Sequence, residues 1–314
     1  MKEDIGVELI DATTGTRLAS KSTRRMPHEV AFDDASRLAY VCITYQDGSY
    51  NNLAKPSHYI EVISVDDMFD ADLIDIQPHF APHGIALSYD RSALYVTCES
   101  NGGEVVVVDL DSKQVANKVG VDAHGPHWMA VLPDQSKTYT ANQEYPFVSV
   151  VDLRALRLIR TIPAPKGTES IVATPDSLRV FVSSQRSPDL YVIDTETDRI
   201  EEVITLPEPP GALAVTPDGS TLLVTTFNFT HWEEKPIINS GYLQVVNART
   251  LEPGARIEVG RFPINVISSP DGATAFVSNF QDNTISAVDL ETMASTTWPV
   301  GGGPHGIAYV AMST

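Results

Sequence analysis

The sequence predicts an all-β, seven-bladed β-propeller, and three observations carry that prediction. One short segment recurs along the chain: around His28 in Met26-Pro27-His28-Glu29, His83 in Pro82-His83-Gly84, His127 in Gly125-Pro126-His127-Trp128, Glu169, Gly211, Ile264, and His305 in Gly303-Pro304-His305-Gly306. These copies are 55, 44, 42, 42, 53 and 41 residues apart. Twelve residues beyond the first six anchors stand Tyr40, Tyr95, Tyr139, Phe181, Leu223 and Phe276, so the copies share one register. Between them the chain alternates apolar and polar residues with breaks at Pro, Asp and Gly, the pattern of short strands, and no long helix is signalled. Short strands repeating every 40 to 50 residues or so are the mark of propeller blades. A chain of 314 residues would otherwise suggest two domains, but blades cannot bury their faces singly, so residues 1–314 read as a single domain.

The chain opens in mid-blade. Val7-Glu8-Leu9-Ile10-Asp11 and Arg17-Leu18-Ala19-Ser20 match the third and fourth strands of later copies, such as Val192-Ile193-Asp194 and Arg199-Ile200. It ends just after a first strand, Gly306 to Ala311, so the two termini are expected to complete the seventh blade together, with three strands or four. In blade 2 the strands are expected at Gly84–Ser88, Ala93–Cys98, Glu104–Asp109 and Gln114–Val119. The turns Thr216-Pro217-Asp218-Gly219 and Ser269-Pro270-Asp271-Gly272 have Pro early and Gly late, as tight turns require. Two copies are longer than the rest. Both carry their extra residues between the second and third strands, at 45–58 and 227–236, which places the inserts on the face where the first strands begin.

A formal net charge of −19 argues against nucleic acid or an anionic membrane as partner, since both need a basic surface. Cys42 and Cys98 lie in strands and read as buried free thiols. Met1-Lys2-Glu3-Asp4 has no apolar run, which predicts neither a signal peptide nor a membrane span, and hence a cytoplasmic protein. No Gly-x-Ser-x-Gly, phosphate-binding loop or Cys-x-x-Cys is present.

All eight histidines fall on one face of the predicted disc. His305, His28, His83 and His127 begin the innermost strands of consecutive blades and should form an arc at the mouth of the central channel. Converging neutral imidazoles suit a transition metal, with Fe(II) expected and Cu or Zn as alternatives. Glu169 follows as a fifth ligand or an acceptor behind an imidazole. Glu169, His124 and His79 are the candidates for acid–base work. Gly211 and Ile264 cannot coordinate; they leave a partly apolar side for a small-molecule substrate. His58, His231, Trp232, Phe227, Phe229, Tyr45 and Tyr50, from the two inserts, are its candidate walls or lid. Glu99, Gln143, Glu144 and Gln185 reach the same face and read as a polar rim.

The run Pro-x-Gly-Ile-Ala-x-Ser/Thr-Pro-Asp-Gly, with Leu-Tyr-Val-Thr and Val-x-Asp, resembles the YVTN-type β-propeller repeat over nearly the whole chain. That resemblance implies the fold and says little about function, because relatives of this architecture include scaffolds, lactonases, a lyase and metalloenzymes. The four inner-strand histidines resemble the metal site of carotenoid-cleaving oxygenases. They are also similar in principle to the copper sites of nitrous oxide reductase and methanethiol oxidase propellers. These likenesses imply an oxygenase-like metalloenzyme; a metal-assisted lyase or lactone hydrolase and a metal-free binding propeller are the alternatives.

Overall fold

The structure is a computed structural model that describes residues 1–47, 55–99, 102–143, 145–165, 167–184, 186–230 and 237–311. It is an all-β propeller. Six four-stranded antiparallel sheets follow one another along the chain, each a meander in sequence order. Their innermost strands are Met26–Asp33, Pro82–Leu87, Pro126–Val131, Ile171–Ala173, Pro210–Val215 and Pro263–Ser268. In blade 2 the remaining strands are Ala93–Cys98, Glu104–Asp109 and Gln114–Gly120, as the alternation predicts to within a residue or two.

The expectation of seven blades is corrected to six. Gly6–Ile10 and Arg17–Ser22 pair only with each other, as a two-stranded sheet. Residues 306–311, expected as an inner strand, form no ladder, and neither do residues 302–305. They are tied instead by single backbone bonds: Gly306 N–H donates to the His28 carbonyl (3.0 Å), and Lys2 N–H donates to the Gly303 carbonyl (2.8 Å). A motif copy encodes the inner strand alone, and a blade forms only where further strands pair with it.

The turns behave as their chemistry dictates. In the fifth and sixth blades Gly219 and Gly272 take the left-handed conformation (φ 69° and 73°), while Thr216 and Ser269 hydroxyls bond to Asp218 and Asp271 two residues on. Between blades, faces of Val, Ile and Leu interlock, as where Cys42, Ile60 and Ile74 meet Leu94, Val96 and Val106. Full burial of each such side chain stabilises by ~1.5–3 kcal/mol. Cys42 and Cys98 are buried free thiols in that interface, and burial pushes both well above the usual thiol range. Among the described residues no helix is long and apolar enough to cross a membrane.

Candidate metal centre

Three histidines of the arc, His28, His83 and His127, stand where their strands leave the ladder, and His305 lies in the segment that forms none. In blade 1 the pairing to the second strand skips from Pro27 to Val30, in blade 2 from Pro82 to Ile85, and in blade 3 from Pro126 to Trp128. Such bulges re-aim a side chain. Here they turn His28, His83 and His127 away from the alternation of their strands. Hydroxyls from second strands hold the backbone in place: Thr44 donates to the Pro82 carbonyl (2.6 Å), Thr97 to the His127 carbonyl (2.9 Å) and Ser278 to the His305 carbonyl (3.0 Å).

The glycine after two of the histidines lets neighbouring backbones approach. A Cβ on Gly84 would lie 2.9 Å from the His127 carbonyl oxygen, and one on Gly306 2.2 Å from that of His28. The imidazoles consequently form a row. Ring centroids are 3.9 Å apart for His305 and His28, 4.0 Å for His28 and His83, and 3.8 Å for His83 and His127. All four residues are at most 3% exposed.

Three carboxylates stand behind the row. Glu29 Oε1 lies 3.1 Å from His305 Nδ1 and 3.5 Å from His28 Nδ1, and its Oε2 accepts from Asn265 (3.1 Å). Glu99 Oε1 is 3.9 Å from His83 Nε2, while its Oε2 accepts from the Tyr45 hydroxyl (2.6 Å). Glu169 Oε1 is 3.9 Å from His127 Nδ1, and the Glu169 carbonyl accepts from that nitrogen (3.3 Å). This last bond sets the His127 tautomer and leaves Nε2 with its lone pair available.

Ligand atoms of His28, Glu29 and His83 lie within 4.8 Å of one another, and so do those of His83, Glu99 and His127. Each set is two imidazoles and one carboxylate, and His83 belongs to both. Neither ring nitrogen of His83 has a hydrogen-bond partner, nor does His127 Nε2, although all three are buried. Buried polar atoms left in that state are costly, and a bound cation or water would satisfy them. The donor set fits a transition metal.

Burial, reinforced by the neighbouring rings, holds His28, His83 and His305 neutral far below the usual imidazole range, and burial takes His127 to about 3. Burial likewise pushes the Glu29 carboxyl up to about 8 and the Lys2 ammonium down to about 7. Lys2 is 1% exposed and within electrostatic range of Glu29, Glu99 and the four imidazoles.

The other sequence candidates divide. Tyr45 joins the cluster through Glu99, which is a partner of His83 rather than mere rim. Phe227 packs on Phe262 (5.3 Å between centroids), Phe262 on Phe280 (5.8 Å), and Phe280 edge-on to His305 (6.4 Å), so an aromatic file leads to the row. Gly211 lies under Thr225 and Phe227, and Ile264 is half-buried at the bulge before Asn265. His79 is engaged elsewhere: its Nδ1 lies 2.5 Å from Glu104, which also pairs with Lys118 (2.7 Å). His58 pairs with Asp75 (2.7 Å), and His124 is exposed beside Tyr145. His231, Trp232, Tyr50, Glu144 and Gln185 lie outside the described residues, as does the side chain of Phe229.

Glu29 and Lys2 are the residues that sequence reasoning missed. Glu29 had a signal, since it stands where other copies have Gly84, Trp128, Ala212 and Gly306. Lys2 lies outside the repeat and had none.

No family model and no curated protein matches the chain. Among solved structures, one titled Kuenenia stuttgartiensis hydrazine synthase is similar over 89% of this chain and 88% of that one, with a TM-score of 0.76 and 16% identity. At that identity the likeness establishes the β-propeller fold and nothing of function.

Proposed function

We propose that this propeller, read as a YVTN-type chain, is a metalloprotein with a redox, oxygenase-like activity on a small organic molecule. The observation that carries the reading is His83: a fully buried imidazole with both nitrogens unsatisfied, shared by two sets of two histidines and one carboxylate. That donor combination suits non-haem Fe(II), with copper or zinc as the other candidates. When bound, iron would supply the redox chemistry. The chain's own residues do the rest. Either His28, Glu29 and His83 or His83, Glu99 and His127 would hold the ion, and His305 completes the arc against Glu29. Tyr45, donating to Glu99, orients the carboxylate that faces His83. The Lys2 ammonium offsets carboxylate charge in a site closed to solvent.

The test is the metal content of untagged protein by plasma mass spectrometry, for the wild type and for His83→Ala. About one equivalent of iron or copper, lost in the variant, is the expected result. Zinc at that level would favour a Lewis-acid lyase or hydrolase instead. No metal in either protein after reconstitution with Fe(II), Cu(II) or Zn(II) would leave a metal-free binding propeller.

A further inference from the structure

We infer that the molecule takes a neutral, apolar small molecule through the gap beside the two-stranded sheet, and that this is the substrate class of the proposed centre. The inference rests on the metal reading for the word substrate, but the binding site stands on its own geometry. A cavity of about 390 Å³ lies between that sheet, the first and sixth blades and the strand-less segment around Pro304–Val310. Its size falls in the range of small-molecule sites. Val7, Leu9, Val41, Ile63, Phe276 and Trp298 supply apolar wall, and Pro27, His28, Pro304 and His305 also line it. The cavity therefore adjoins two of the four residues whose imidazoles make up the row.

Three features select the ligand. The lining is predominantly aliphatic and aromatic, so little of a polar ligand could be satisfied there. Glu8 and Asp11 lie on the cavity's border, and the chain's net charge is −19, both of which disfavour an anion. Leu18, 47% exposed, marks an apolar side open to water. Lys2, buried and bonded through its N–H to the Gly303 carbonyl, lies within electrostatic range of the row and adds no open polar surface to the cavity.

The test uses N-phenyl-1-naphthylamine, a neutral apolar fluorophore, titrated into chelator-treated full-length protein, so that the outcome does not depend on any metal. Ala39→Phe and Ala308→Phe each add a ring to the lining, one from the first blade and one from the strand-less segment. Saturable 1:1 binding in the wild type, weakened at least tenfold in both variants with the thermal midpoint retained, is the expected result. No saturable binding, or binding undiminished in both variants, overturns the site. So does binding lost instead on removing the exposed Phe69 or Tyr89 side chains, or a concentration-dependent dimer broken by the two filling variants. The link to the centre is read separately, on protein loaded with Co(II). A change in its visible spectrum on adding the fluorophore supports the substrate assignment, and an unchanged spectrum overturns it.

Discussion

Two arcs of the propeller are built alike and do different things. On one, His305, His28, His83 and His127 crowd to centroid distances of 3.8–4.0 Å under almost complete burial. On the other, the equivalent positions are Glu169, Gly211 and Ile264. The scaffold hardly distinguishes them: the ladder skips at Pro210–Leu213 and Pro263–Asn265 as it does in blades 1 to 3, and Thr225 and Ser183 bond the strand starts of their blades as Thr97 does. The difference lies in single side chains at the break. Burial keeps the four imidazoles from taking a charge, and only one arc bears that desolvation.

Acid separates the arcs most strongly. The four imidazoles titrate near 6.5 in the unfolded chain and far lower when folded, so the unfolded state binds more protons and stability falls as pH drops below 6.5. Glu29, raised from 4.5 to about 8, works in the opposite direction over the same window. Metal-free protein should thus take up about three protons on unfolding and lose ~6 kcal/mol between pH 6.5 and 5. Denaturant midpoints at several pH values measure this, and a flat profile would sink the picture of neutral buried imidazoles.

Glycine substitutions come next. Gly306→Ala sets a Cβ against a carbonyl oxygen at 2.2 Å and should cost ~3 kcal/mol, with loss of any bound metal. Gly211→Ala, on the plain arc, meets the Thr225 hydroxyl and the Phe227 ring at 2.8 and 3.0 Å, side chains that can shift, and should cost ~1 kcal/mol. Equal costs in thermal or denaturant unfolding would erase the distinction between backbone and side-chain crowding.

Glu29→Gln sharpens the same contrast from the alkaline side. As pH rises from 6.5 to 8 the wild type should lose ~2 kcal/mol relative to the variant, because the folded state keeps on Glu29 a proton that the unfolded chain releases. Parallel stability curves would argue against a protonated Glu29. The smallest effect expected is that of Tyr45→Phe, ~1 kcal/mol, from the hydroxyl that Glu99 loses. Metal content should be kept, with a shifted spectrum of the bound ion; an unaltered spectrum would remove Tyr45 from the site.

Much of this was legible in the residues. The Pro-His-Gly copies and the aromatic twelve residues on specify inner and second strands, and period-2 alternation places the strands of blade 2 almost to the residue. The gathering of four histidines also follows from the repeat. What failed has physical causes. Counting motif copies as blades overcounts by one, since the motif encodes an inner strand and a blade also needs partners to pair with it. His79 and His58 lie on the expected face, yet Glu104 and Asp75 claim them, and such pairings depend on neighbouring strands far along the chain. Glu99 was placed on the right face and given the wrong job, because its distance to His83 is set by a break in register that no local pattern announces.

That break has a consequence for redesign. Since the strand regains its alternation within two or three residues, exchanging the residue at the break alters the donor atoms there while the rest of the strand keeps its register. The same property makes the plain arc, beginning with Ile264, the natural place to graft a new ligand.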